Sequence, residues 1–530
     1  MSRLKRYTHA MASGYLLLGA NAIYTLASVP IALSFLSTPE FALWALTSTI
    51  AQYLSLVDLG MSGASRIIID HKDERDGGAY GSTIQTFFLV SVVQGLLITV
   101  LGLGLAAVLG PLLHVPAAQQ SEFFWLTIGQ CLLLAATFLS RIAVYILTAH
   151  QRIDLVNYSQ IVLLGLTLGV LYFGLAHGQG VYSTLWAQAV GWVSSVVCCF
   201  VWIMRLRLLP SRGAWGRPNR ARFWELFSYG RDIFLCAVGF QLLNASQTLI
   251  VTRVLGLEIA AVWSVCTRTY VFLSQIIFRL LDYSAPVLAE MIVRKETDRL
   301  CYRFRSLFTA SVSLAVLMGV IFAGANQPFI RLWTAGRLGW APINDVLLAI
   351  SLAVVSGARF HIGLVGQSKD IGGMRYIYLL EGAFFVGVSL LLVHLGGIRA
   401  MLLASIAGTL LFSSPYGAWR TSRYFHLPWA TVAFGWLLPS LRLAACLVPV
   451  AFLVAWLAQP LSPRLFLGVY PVATGLIGVL LCLGLGIEPG LRKEILSRFL
   501  GKWRRASASQ SAAVAHVKDD ESAKEGVTSR

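Results

Sequence analysis

The stretch Ile259-Ala-Ala-Val-Trp263-Ser-Val-Cys-Thr-Arg268-Thr-Tyr-Val-Phe-Leu-Ser-Gln275-Ile-Ile-Phe-Arg279-Leu-Leu-Asp282 decides how the rest of the chain is read. It is apolar over more than the roughly 20 residues that a helix needs to cross a bilayer. It nevertheless carries two arginines, a glutamine and an aspartate. At about 100° per residue, Gln275 falls about 20° to one side of Arg268, Arg279 about 20° to the other, and Asp282 about 40° away. All four project from one narrow face. A charge at mid-membrane costs at least about 2.5–3.5 kcal/mol, so such a face turns to a bundle interior or a wet cavity. The pattern predicts a helix lining a positively charged cavity. Arg279 has a structural option as well: it can snorkel to the interface or pair with Asp282 three residues on.

The rest of the 530-residue chain has the same character: 57% hydrophobic, 12% charged, with a mean hydropathy of +0.71. Soluble domains carry about 25% charged residues, so the fold class is an all-α polytopic membrane protein. Long apolar runs exclude a β-barrel, whose strands alternate. Fourteen spans are expected, at about 11–36, 41–65, 81–113, 123–148, 157–176, 183–204, 230–252, 260–287, 305–325, 344–366, 376–395, 400–419, 431–457 and 465–487. The basic start Ser2-Arg-Leu-Lys-Arg6 runs into a stretch long enough to be a span, so no cleaved signal peptide is expected.

The net charge of +18 follows from membrane topology and does not call for nucleic acid. With the N-terminus inside, inner segments hold 32 of the 42 Lys and Arg and outer segments hold 5. The other five, Arg141, Arg268, Arg279, Arg359 and Arg442, lie within spans. Both termini are therefore expected in the cytoplasm. The Arg-, Pro- and Gly-rich segment 205–229 separates six spans from six, with two more at the end. This gives units 1–204, 230–430 and 431–487, and a tail 488–530 too polar to fold. Phe223-Trp-Glu-Leu-Phe-Ser-Tyr-Gly230 reads as a short amphipathic helix on the inner leaflet.

An internal repeat supports the six-plus-six division. Residues 31–55 align without a gap on 250–274, and six positions are identical, Trp44/Trp263 among them. Span eight is thereby the counterpart of span two. Span two has a polar stripe of its own in Ser48, Gln52, Ser55, Ser62 and Arg66, with Asp58 to one side. Gln130, Thr137, Arg141 and Thr148 share a face of span four, and Gln241, Asn244, Thr248 and Thr252 share a face of span seven. Span ten carries Arg359 and His361, and span eleven carries Glu381. Such stripes serve helix–helix hydrogen bonding, but buried guanidiniums need partners. Asp58, Asp282 and Glu381 can supply some. An arginine left over suits bidentate contact with phosphate or carboxylate.

The eight cysteines lie in or beside apolar runs without C-x-x-C spacing, so no cofactor or metal is expected. No nucleophile–base constellation appears, and the chain is not expected to be an enzyme. The sequon Asn244-Ala-Ser246 falls inside a span.

The stretch Glu40-Phe-Ala-Leu-Trp44-Ala-Leu-Thr-Ser-Thr-Ile-Ala-Gln-Tyr-Leu-Ser-Leu-Val-Asp58-Leu-Gly60 resembles the polysaccharide flippases, the Wzx-like O-antigen and exopolysaccharide flippases of the MATE-like MOP superfamily. Trp44, Asp58 and Gly60 match the family's pattern. Two glycines of its first outer turn are replaced, with Thr38 and Ala42 near those places. The resemblance implies two pseudo-symmetric six-helix lobes around a cavity of alternating access, with two C-terminal helices beside them. It implies export of an undecaprenyl-pyrophosphate-linked oligosaccharide across the bacterial inner membrane. Membrane lipids and a polysaccharide polymerase with its assembly proteins would be partners.

On this reading the substrate-contact candidates are Arg268, Arg141, Arg359, Arg279, Gln275, Gln52 and Asn244. The protonatable coupling candidates are Asp58, Asp282 and Glu381. The alternatives are a MATE-type multidrug antiporter, which would favour an acidic cavity, a membrane polymerase or ligase, and a non-transporting scaffold of the assembly complex.

Overall fold

The fold is known from a computed structural model, which describes residues 3–58, 68, 78–150, 152–211, 213–367, 372–493 and 497. Gly60, Ser62, Arg66 and nearly all of the tail beyond 493 lie outside them. The described residues are α-helical with short 3₁₀ and π turns and contain no strand.

The helices are α1 (Arg3–Phe35), α2 (Thr38–Leu54, extended by the 3₁₀ turn Ser55–Asp58), α3 (Ala79–Leu112), α4 (Ala117–Ala149), α5 (Ile153–Ala176) and α6 (Ser183–Arg205). After the linker come α7 (Arg220–Asn244), α8 (Ser246–Leu255), α9 (Leu257–Cys266), α10 (Arg268–Val293), α11 (Thr297–Trp333), α12 (Pro342–Gln367), α13 (Met374–Leu411), α14 (Ser413–Phe425), α15 (Leu438–Ala458) and α16 (Pro463–Leu481).

Twelve segments among the described residues are long and apolar enough to cross a membrane. One of them, Met374–Phe425, has 52 residues. As one straight helix it would be roughly 78 Å long, far beyond a hydrocarbon core of about 30 Å. It bends at Gly397, whose φ of 60° is open to glycine at little cost, and so supplies two spans. Helix α2, 17 residues long, is continued by its four-residue 3₁₀ turn and supplies a further span. The described residues thus hold fourteen spans.

Local chemistry starts and stops these helices. Ser37 and Glu40 form a reciprocal capping box at α2: the Ser37 N–H donates to Glu40 Oε2 at 2.7 Å. Gly256, at φ 96°, makes the tight turn between α8 and α9 at the repeat-related position. Helices α7 and α13 cross closely because Gly239 and Gly382 leave room; a Cβ on Gly239 would come within 2.4 Å of the Tyr378 backbone. Outward-facing Leu395, Phe452 and Leu480 are more than two-thirds exposed, as lipid-facing side chains should be.

Two expectations are corrected. Span eight crosses as one apolar segment, Leu257–Asp282, but its helix is interrupted at Thr267, a single turn residue between α9 and α10. Residues 223–230 are not a separate surface helix but belong to the continuous α7.

Helices α2 and α9, the two repeat-related elements, pack against each other at the middle of the molecule. The main core cluster gathers around them and includes Trp44 and Trp263. Helices α15 and α16 pack on each other and against α11.

Candidate functional site

Two cavities lie on either side of the α2–α9 contact. The first, about 620 Å³, is walled by α2, α4, α5, α6 and the α9–α10 junction. The second, about 410 Å³, is walled by α7, α8, α10, α12, α13 and the start of α14. They share Thr49, Gln52, Thr248, Trp263 and Thr267, so one wall serves both. The only charged residues lining either are Arg141 and Arg268 in the first and Arg359 in the second.

Arg268 opens α10 just after the break at Thr267. Its Nη1 donates to Ser28 Oγ on α1 at 3.0 Å, and its guanidinium lies 5.6 Å from the Trp44 ring centroid. Among the described residues it has no carboxylate partner. It also reaches a third space, an apolar groove of about 540 Å³ between α1, α10, α11 and α16. Phe272, Phe322, Phe329 and Leu467 line that groove, and Arg268 is its only charged residue. A cation therefore stands where a polar cavity meets an apolar groove.

The other intramembrane arginines have company. Arg141 donates to Asp58 Oδ1 at 2.6 Å and stacks over Phe138 at 3.7 Å. Arg359 donates to Asp282 Oδ1 at 3.4 Å and lies over Phe278 at 4.4 Å. Arg279 pairs with the same Asp282 at 3.8 Å, is half exposed, and lines none of the three spaces. Gln52 is exposed to both cavities, and its carbonyl accepts from Gln241 at 3.0 Å. Asn244 and Gln275 line the second cavity, although the Asn244 amide is turned to the Phe240 carbonyl of its own helix. Glu381 is fully buried behind the second cavity, with no arginine within ion-pair reach among the described residues, and accepts from Thr409 Oγ1 at 2.8 Å.

Sequence reasoning missed the glutamines of α5 and α6. Gln160 and Gln188 both line the first cavity, and Gln188 accepts from Gln130 at 3.1 Å. Glutamines inside apolar spans were the available signal. A cavity lined by amides, hydroxyls and guanidiniums can hold a large polar anionic group by replacing its water.

The sequence matches the family described as polysaccharide biosynthesis protein over residues 34–333. No curated protein sequence matches the chain. Among solved structures, lipid II flippase MurJ in an inward closed conformation aligns with a TM-score of 0.67 at 13% identity, covering 92% of this chain and 99% of that one. An inward-facing multidrug resistance MATE family transporter of the MOP superfamily aligns at 0.66 and 14% identity, covering 76% and 94%. A MOP superfamily transporter from Pyrococcus furiosus, described by the reverse polarity of its binding pocket, aligns at 0.54 and 15% identity, covering 79% and 96%. At these identities the likeness shows the fold.

Proposed function

Because the chain belongs to the polysaccharide biosynthesis protein family, we propose that this multi-pass membrane transporter flips a polyprenyl-pyrophosphate-linked oligosaccharide from the cytoplasmic to the outer leaflet. One observation carries the reading: Arg268 stands at the junction of the polar cavity and the apolar groove. The proposed substrate has the matching form. Its sugar head needs hydrogen-bonding walls, its tail needs an apolar track, and the pyrophosphate between them needs a cation.

In this reading the units 1–204 and 230–430 are two lobes that rock about the shared α2–α9 wall, and α15–α16 flank the tail groove. On this reading the membrane is a bacterial inner membrane, and the Lys and Arg bias supports cytoplasmic termini. That orientation places three ties between the lobes at the outer end: Arg253 with His114, Arg337 with the Leu33 carbonyl, and Trp333 Nε1 with the Leu26 carbonyl at 2.9 Å. The conformation is then closed outward. Asp58 and Asp282 are occupied by arginines, which leaves Glu381 as the strongest of the three coupling candidates.

The test is Arg268→Ala in a strain that depends on this protein for surface polysaccharide. The expected result is loss of polymer, with protein at normal membrane levels and lipid-linked repeat units accumulating on the cytoplasmic side. Normal polymer at normal protein level overturns the reading. Single units displayed outside would instead indicate a polymerase.

A further inference from the structure

Asp345, in the first turn of α12, has no exposed surface, and Oδ1 alone receives its hydrogen bonds. Asn326 Nδ2 and Trp340 Nε1 each donate to that oxygen at 2.7 Å. Both donors are neutral, and Oδ2 has no partner. Asn326 on α11 is 2% exposed and its Oδ1 also lacks a partner; Asn344, next to Asp345, is 5% exposed with an unpartnered Oδ1. Asn326 Nδ2 donates as well to the carbonyl of Cys266 at 3.2 Å, and Cys266 is the last residue of α9, at the break before Arg268. Asn326 and Asp345 are thus bonded to each other and Asn344 is the next residue along the chain, and one buried carboxylate oxygen and two buried amide oxygens on these three side chains lack partners among the described residues.

We propose that Asp345, Asn326 and Asn344 form a site for one monovalent hard cation of the Na⁺ type. Ions of this kind take oxygen ligands. A single carboxylate matches a single positive charge. A proton on Oδ2 would cancel the charge but satisfy at most one of the two amide oxygens, whereas a cation can be shared by all three. Through Asn326 the site is tied to the α9–α10 break, so occupancy bears on where Arg268 points. The proposal adds a coupling-ion site to the flippase reading without depending on its substrate.

The test uses the full-length purified protein with radiolabelled Na⁺, and K⁺ and Li⁺ as competitors. One saturable Na⁺ per chain is expected, with the melting temperature higher in NaCl than in choline chloride. Asp345→Asn should weaken binding by at least about tenfold and abolish the NaCl effect on melting. Asn344→Ala, which keeps the carboxylate, should weaken binding by a smaller factor and covers the case in which Asp345→Asn fails to fold. Absence of saturable Na⁺ binding by the unaltered protein overturns the proposal. So does melting that depends on pH but not on Na⁺, or full binding in Asp345→Asn with loss in Glu381→Gln. None of these results touches the flippase reading, because the assay needs no lipid-linked sugar.

Discussion

Arg268 and Arg279 are the same residue type on the same face of the same helix, yet their surroundings have little in common. Arg268 touches a neutral hydroxyl and a tryptophan ring and faces both the polar cavity and the apolar groove. Arg279 is half exposed, shares Asp282 with Arg359 and faces none of the three spaces. Helical periodicity sets a direction. Eleven residues also carry a side chain roughly 16 Å along the axis, and depth then decides its company. On the proposed reading, an arginine answered by a carboxylate serves the fold, and one held only by neutral groups keeps its charge for a ligand.

Substitutions at four arginines sharpen or break that contrast. The largest effect is expected for Arg268→Ala, about a hundredfold loss of flipping from one lost charge-assisted contact, read as polymer per unit of membrane protein. Arg268→Lys keeps the charge but loses the planar fork, and should recover only part of it. Arg141→Ala comes next. It removes the guanidinium that bonds Asp58 in a three-quarters-buried site, at a cost of about 1–3 kcal/mol in stability, visible as a lower melting temperature. The double variant Arg141→Ala/Asp58→Ala should recover much of that loss; no recovery would mean that Arg141 acts on substrate and not on Asp58. Arg359→Ala should be milder, since its partner Asp282 is 40% exposed and can turn to Arg279 or water. Arg279→Ala should change flipping by less than about twofold, in line with the 0–1 kcal/mol of exposed pairs. A loss at Arg279 equal to that at Arg268 would sink the comparison.

Much of the fold was legible because spanning a bilayer imposes a length and an apolarity that residue order alone reveals. The span pair around Gly397 and the matched turns at Ser37–Glu40 and Gly256 could be placed this way. The break in span eight could not, because Val265-Cys266-Thr267-Arg268 contains neither Gly nor Pro. Nor could the continuity of α7 through Phe223–Gly230, whose aromatic spacing suggested a separate surface helix. Of the candidate site, the stripes on α2, α4 and α10 were legible as faces. Gln160 and Gln188 were missed because isolated glutamines in apolar helices look like interhelical links. Only packing against Asn326 and Trp340 reveals Asp345 as fully buried.

By itself the sequence determined that this chain crosses a membrane many times, that its basic residues favour one side, and that arginines project from faces of several spans. These are local or compositional properties, set by hydropathy and by the 3.6-residue turn. Only the tertiary structure decided which arginines are neutralised. Asp58 reaches Arg141 across 83 positions and Asp282 reaches Arg359 across 77, while Arg268 meets Ser28 from 240 positions away. Charge compensation is a matter of distance in space, and that distance is created when the helices pack.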